Sequence, residues 1–215
     1  DIPRWGSPGG KSVLKGAFEG EESLQVGVLV GRRVDLRKDG RPVGASTVRS
    51  KVPALCFTPE DLALVEGAPA IRRRFLDCLC ALMLPLYALR LLEFRRVLRQ
   101  RTAALRTNRG VSATARVMAP LASWIWASRA AAADLLKAGL GEVESLLPGK
   151  VEIAFARGGS LGLEDGLEDF WASLARHAES EHRAGIPLVG PHRDDLFVGN
   201  GEKPAVQVYS RGHRR

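Results

Sequence analysis

Three short runs in this 215-residue chain carry residue types able to do chemistry. His192-Arg193-Asp194-Asp195 sets an imidazole, a guanidinium and two carboxylates side by side. The His-Arg-Asp order is that of a phosphoryl-transfer loop, which needs four residues between its Asp and a metal-binding Asn. Asn200 falls one residue too far along. The paired carboxylates suit a divalent cation. Adjacent residues of an extended chain point to opposite faces, however, so an ion pair with Arg193 or another arginine is the expectation that competes with it. Gly6-Ser-Pro-Gly-Gly10-Lys11-Ser12 has the composition of a phosphate-binding loop. Only three residues separate the two framing glycines where the cradle needs four, and the run that follows reads as strand instead of helix. Cys78 and Cys80 form a C-x-C pair without a second ligand pair, which fits reduced, buried thiols on a helix better than a metal site.

Charge is the next signal. The chain carries a net +8 and a pI near 9.9. Between Arg95 and Ala133 there are eight arginines and no acidic residue. A stripe of one sign attracts phosphate polyanions and makes their binding salt-dependent. Arg95, Arg96, Arg99, Arg101, Arg106 and Arg109 are the candidate DNA contacts. The alternative is a solvated helix face that happens to use arginine.

The elements that must position these residues follow from periodicity. Ser12–Phe18, Leu24–Val30 and Arg33–Leu36 read as strands, with Asp39-Gly40 as a hairpin turn and Val52–Phe57 as a buried strand. Thr58 can cap a short helix from Pro59 to Val65. A long helical stretch begins after Gly67-Ala68-Pro69, with Phe75, Leu76, Leu79, Leu82 and Met83 on one face. Pro85 predicts a break near Met83, and Asn108-Arg109-Gly110 a stop. A second helix is expected from about Pro120 to Lys137, with a shorter one to Leu147, so that two antiparallel helices form an arm. Beyond Pro148-Gly149, a strand around Ile153, an amphipathic helix from Leu163 to Ala184 and a short strand at Pro187–Val189 are expected. Leu196–Val198 and Ala205–Tyr209 should pair as a hairpin around Gly199-Asn200-Gly201.

The longest apolar run, Cys78–Leu89, is about a dozen residues and contains Pro85, too short for a bilayer span of about 20. No signal-peptide pattern is visible, and three cysteines argue against a disulfide framework. A reduced cytoplasmic protein without membrane partners is the expectation. No nucleophile–base pair or metal constellation supports an independent enzyme.

Two longer motifs carry a resemblance. Phe57-Thr-Pro-Glu-Asp-Leu-Ala-Leu-Val, Gly67 and Arg72-Arg73-Arg74-Phe75-Leu76-Asp77 make the first. Leu188-Val-Gly-Pro-His-Arg-Asp-Asp-Leu196 makes the second, followed by Ser210-Arg211-Gly212. In this order they resemble the RecF family, SMC-like ABC ATPases of bacterial recombinational repair. The resemblance marks Pro59, Glu60, Asp61, Arg73, Gly190, Pro191, His192, Arg193, Asp194 and Asp195 as family-motif positions. It places Ser210, Arg211 and Gly212 at the ABC signature, with His213 where the family usually has Gln. A signature Ser and Gly would meet the γ-phosphate of ATP held by a partner subunit, through unpaired amides at a helix N-terminus.

The implied fold is α+β: partial ABC-type ATPase lobes with an inserted antiparallel helical arm. The implied division is 1–70 for the β-rich part of lobe I, 71–148 for the arm and 149–215 for the return into lobe II. The implied function is DNA binding in repair, recombination and replication restart, including the SOS response and single-stranded or gapped DNA. An ATP- and Mg²⁺-dependent homodimer and recombination mediator proteins go with it. The family's Walker A and Walker B regions have no counterpart in these residues, so ATP is expected to bind poorly to this chain alone. A nucleic-acid-binding or interaction module without ATPase activity is the second reading.

Overall fold

The computed structural model describes residues 12–18, 24–30, 34–38, 40–44, 47, 58–147 and 149–209. Val52–Phe57, Gly6–Lys11 and Ser210–Gly212 lie outside the described residues. The chain divides into two compact units, Asp1–Cys56 and Phe57–Arg215.

In the first unit, β1 (Ser12–Phe18), β2 (Leu24–Val30), β3 (Val34–Lys38) and β4 (Arg41–Val43) form an antiparallel meander in chain order. Lys38 pairs with Arg41, so only two residues turn the last hairpin. Gly40 has φ +80°, a value that glycine takes without a Cβ clash.

The second unit is mostly helical. A 3₁₀ turn at Pro59–Leu62 runs into α1 (Ala63–Glu66). Asp61 reaches back to Thr58, accepting from its backbone N–H at 2.6 Å and its hydroxyl at 3.1 Å. The cap therefore works in reverse: the first-turn carboxylate satisfies the Thr58 N–H, and the Thr58 hydroxyl is a donor. α2 (Pro69–Met83) and α3 (Tyr87–Thr107) are separated where Pro85 predicts. Leu84, the residue before that proline, is extended at φ −123°, ψ 111°. Asn108 (φ 52°) and Gly110 (φ 69°) reverse the chain into α4.

Here expectation and structure part. α4 runs from Val111 to Glu142 as one 32-residue helix with Pro120 inside it. Pro120 begins nothing, because Ala115, Met118 and Ala119 already sit in the core ahead of it. The packing of that face outweighs the hydrogen bond a proline forfeits. The shorter helix expected to Leu147 is a single 3₁₀ turn, Glu144–Leu146.

β5 (Glu152–Ala156) pairs antiparallel with β6 (Asp195–Gly199), Ile153 opposite Val198 and Phe155 opposite Leu196. The expected hairpin of Leu196–Val198 with Ala205–Tyr209 does not form. Gly199 and Pro204 make one bridge, and Ala205–Val208 becomes a short helix, α6. Asn200 Oδ1 gathers the amides of Glu202 and Lys203, which closes the turn locally. Pro187–Val189 is a loop, because the Leu188 amide donates to the Glu181 side chain and finds no strand partner.

α5 (Gly166–Ala184) is capped by Asp165, which accepts from the amides of Leu167 and Glu168 at 2.8 and 2.7 Å. Phe170 and Leu174 enter the core, whereas Leu167 and Trp171 stay about two-fifths exposed at 41% and 40%. A single core joins Leu76, Phe94, Met118, Ile125, Trp126 and Phe170, drawn from α2, α3, α4 and α5. Alanines at 115, 119, 122, 132 and 133 let the neighbours of α4 approach closely. The helices and the return segment thus share one interior, so boundaries at 70 and 148 do not mark separate cores.

Candidate functional site

The two sequence motifs meet. Arg72, in the first turn of α2, grips Asp195 at the start of β6 with two parallel bonds, Nε to Oδ1 at 2.7 Å and Nη2 to Oδ2 at 3.0 Å. Its remaining nitrogen, Nη1, donates to the Gly67 carbonyl at 2.7 Å. Arg73 donates to the Asp194 carbonyl at 2.8 Å. Planar guanidinium–carboxylate forks of this kind fix orientation as well as distance. Asp195 also accepts from the Leu196 amide. Burial alone would raise the Asp195 carboxyl, but the Arg72 hydrogen bonds hold it below the usual carboxylate range.

Asp194 turns the other way, into the interior, as alternation along an extended chain requires. Its carboxylate is fully buried. Oδ1 accepts from Trp126 Nε1 at 2.8 Å and from the Gly158 amide at 2.7 Å. Oδ2 accepts from Arg129 Nη1 at 2.6 Å. Arg129 extends the network: Nη1 also reaches the Pro191 carbonyl, Nη2 reaches Asp77 at 2.7 Å, and Nε reaches the Tyr87 hydroxyl at 3.2 Å. The Tyr87 hydroxyl donates to Asp77 at 2.7 Å, and Arg95 closes the outer edge on Asp77 at 3.2 Å.

Every member of this network has a role consistent with its charge. Arg129 is deeply buried, which opposes its charge; Asp194, Tyr87 and Asp77 more than offset that and hold its pKa above the ordinary value. Burial pushes the Asp194 carboxyl upward, while Arg129 and the Gly158 amide pull the other way. Three donors and no acceptor face it, which is the environment of a carboxylate. Burial also raises the Tyr87 phenol, which stays protonated as a donor. Burial pushes the Cys80 thiol up to about 11, so it is an inert core group; Cys78 is exposed.

Gly158 is required by space. A Cβ there would lie 2.3 Å from Arg193 Cβ and 2.4 Å from the Arg193 carbonyl carbon. The loop holding Gly158 is fastened by Asp169, which accepts from Arg157 at 2.9 Å, the Leu161 amide at 3.0 Å, Ser173 at 3.0 Å and the Ser160 hydroxyl. A second buried pair ties the far end of α5 to the hairpin turn: Arg101 Nη2 meets Glu181 at 2.5 Å, and Glu181 also takes the Leu188 amide at 2.7 Å.

Several expected site residues change role on this geometry. Asp194 and Asp195 do not share a cation, because each spends its oxygens on a different arginine, and neither pairs with Arg193. No group of three or more His, Cys, Asp or Glu side chains among the described residues is placed to hold a metal. Arg193 is exposed, and among the described residues its side chain reaches only the Pro187 carbonyl, at 3.3–3.4 Å. Arg101 cannot serve as a DNA contact: it is 2% exposed and committed to Glu181 and the Val111 carbonyl. Arg129 leaves the cationic stripe for the same reason. Arg96, Arg99, Arg106 and Arg109 are exposed, and none is paired with a carboxylate among the described residues. Asp61 caps the turn at Thr58. Gly190 and Pro191 shape the loop under Arg129. Ser12 opens a β-strand, so the residues directly after the Gly6–Lys11 run form a strand and not a helix.

His192 donates from Nε2 to the Pro187 carbonyl at 3.0 Å, while Nδ1 is buried without a partner among the described residues. Burial lowers its pKa to about 4. The unfolded imidazole takes up its proton near 6.5. Between these values the unfolded state holds more protons, so stability is full above pH 6.5 and falls as the pH drops towards 4. The expected loss is at most about 3 kcal/mol. Urea unfolding at pH 7 and pH 4.5, for the chain and for His192→Gln, checks this; an equal acid loss in both would remove His192 as the cause.

Asp77, Tyr87, Trp126, Arg129, Gly158 and Glu181 belong to the site yet were not among its expected members. Arg129 had a readable signal: it follows Ile125 and Trp126 and precedes Ala132 and Ala133 on one helical face, so it had to be buried with a counter-charge.

Mixed helices and small antiparallel sheets, with both motifs locked on either side of a helical insertion, define a partial ABC-type ATPase fold. Two solved structures with this fold are described as the recombination mediator protein RecF with ATP and with ATPrS in the RecFOR pathway. They superpose with TM-scores of 0.75 and 0.79 at 19% and 18% identity, covering 89% and 94% of this chain and 56% and 59% of theirs. No family model matches the sequence. The DNA replication and repair protein RecF of Pseudarthrobacter chlorophenolicus is 33% identical over 213 residues, covering 80% of this chain and 53% of the relative. The same-named proteins of Paenarthrobacter aurescens and an Arthrobacter species are each 32% identical over 80% of this chain. The chain is a partial RecF-family chain and spans about half the length of the curated relatives it matches.

Proposed function

We propose that this chain is the clasped helical portion of a DNA replication and repair protein, and that it contacts nucleic acid through the exposed arginines of α3. The observation that supports this best is their arrangement. Arg95, Arg99 and Arg106 fall within about 40° of one another around the helix, over about 16 Å of its length. Arg96 and Arg109 flank them; among the described residues Arg95 alone of the five has an acidic partner, Asp77, and the Arg95 side chain is 58% exposed. The relatives' name, DNA replication and repair protein, agrees with this reading.

In the complete protein, ATP and Mg²⁺ would be held by segments other than those described here, and Ser210 and Gly212 would contribute to a partner's nucleotide in a homodimer. DNA at gaps and recombination mediator proteins are the partners this implies. The 215-residue chain by itself should turn over no ATP.

The DNA test is salt-dependent binding. Replacing Arg96, Arg99, Arg106 and Arg109 with alanine should weaken duplex binding and lower the slope of log K against log salt by about 0.9 for each lost phosphate contact. Arg101→Ala should alter stability instead of the slope. Unchanged affinity and slope in the quadruple variant would reduce the stripe to a solvated face.

A further inference from the structure

The buried network between the two motifs comes to the surface at Arg95. Trp126, Tyr87, Arg129 and Asp194 are buried, and Asp77 is 9% exposed. Arg95 closes the network on Asp77 with a side chain that is 58% exposed. It is also the first member of the arginine row on α3, about one helical turn before Arg99. The same guanidinium therefore belongs both to an interior charge network and to the face that contacts nucleic acid in the reading above. We propose that Asp77 is a positioning residue for that face: it holds Arg95 against α2 in the free protein and yields it to a backbone phosphate when nucleic acid binds. The inference rests on the α3 reading and adds the group that sets how readily the row is completed.

Three observations carry the exchange. First, the two oxygens of Asp77 are unequally served. Oδ1 accepts from Tyr87 and Arg129, each at 2.7 Å. Among the described residues, Oδ2 accepts from Arg95 alone, at 3.2 Å. Charge-assisted nitrogen–oxygen bonds are usually about 2.7–2.9 Å, so the Arg95 bond is the long, weak one of the three. Second, the departure of Arg95 strands nothing. Tyr87 and Arg129 still hold Asp77, and water can fill the edge that an exposed side chain leaves. Third, release costs little and the reward is close at hand. An exposed ion pair shifts an equilibrium by about fivefold at most. A duplex presents one phosphate charge for about every 1.7 Å of its axis. Arg99 and Arg106 meet no carboxylate among the described residues, so Arg95 is the member of the row that Asp77 restrains.

A double-mutant cycle on the whole 215-residue chain tests this, read as affinity for a short fluorescein-labelled duplex by anisotropy. Asp77→Asn keeps an oxygen for Tyr87 and Arg129 but turns an NH₂ group towards Arg95, which it cannot hold. It should tighten binding about three- to fivefold. In an Arg95→Ala background the same change should alter affinity by less than about twofold, the effect of one acidic charge fewer. Tyr87→Phe is the second variant. It changes no charge, is buried away from DNA and takes one donor from Asp77, so Arg95 is held harder. Binding should weaken about twofold, again only where Arg95 is present.

Equal effects of Asp77→Asn with and without Arg95 would overturn the inference, because they would come from net charge alone. Should that variant melt below the assay temperature, equal effects of Tyr87→Phe in the two backgrounds would overturn it instead. The α3 reading fails by a different result, full affinity in the variant lacking Arg96, Arg99, Arg106 and Arg109, and takes this inference with it. A weakened quadruple variant beside an additive cycle overturns the inference alone.

Discussion

Asp194→Ala should destabilise the chain by about 3–5 kcal/mol, whereas Asp195→Ala, one residue further on, should cost about 1 kcal/mol. The two carboxylates are adjacent in sequence and opposite in setting. Removing Asp194 takes away one of the two carboxylates that hold the buried Arg129 guanidinium among the described residues, and leaves the Trp126 and Gly158 N–H groups without that acceptor. Removing Asp195 frees Arg72 at a site where the carboxylate is 39% exposed, so water takes its place. With total stability of about 5–15 kcal/mol, the first loss is a large share of the whole. Asp194→Asn should fall between the two, at about 2 kcal/mol, because its amide oxygen still serves Trp126 and Gly158. Urea unfolding followed by tryptophan fluorescence measures all three. Equal costs for Asp194→Ala and Asp195→Ala would show that the buried network is not what holds the two motifs together.

Glu181→Leu should cost about 3–5 kcal/mol when made alone and far less when Arg101→Met accompanies it. Arg101 and Glu181 are 2% and 1% exposed, so the single change leaves a charge in the interior with only the Val111 carbonyl for company. Making both sites apolar removes the desolvation cost with the attraction. The double variant should keep a penalty of about 1–2 kcal/mol for the Leu188 amide, which loses its acceptor. A double-mutant cycle on unfolding free energies reads the coupling directly. Additive costs would mean that the two side chains act independently.

Much of this fold was legible wherever one local rule decided the outcome. The β3–β4 turn follows from Asp39-Gly40, the α2–α3 break from Pro85 and the α3–α4 reversal from Asn108 and Gly110. The failures came where distant packing overruled a local rule. Pro120 looks like a helix start, but the alanine face around it holds the helix through. Leu188 looks like a strand residue, but its amide is claimed by Glu181. The motif residues were visible as unusual from their composition alone. That Asp194 would find Arg129 and Asp195 would find Arg72 was not, since both partners lie 65 or more positions away. Alternation told which carboxylates would part company; it could not tell which arginines would receive them.

The distance along the chain between those partners bears on how the protein is made. Arg72 and Asp195 are 123 positions apart, and Arg129 precedes Asp194 by 65. At about 5–20 residues per second, a ribosome delivers Asp194 roughly 3–13 seconds after Arg129. During that interval α4 is complete, Arg129 has Asp77 and Tyr87 within reach, and the Trp126 side of the helix waits for α5 to cover it. The later of the two motifs to leave the tunnel therefore neutralises the interior, and a nascent chain paused before residue 194 would present its half-built core to whatever chaperone attends it.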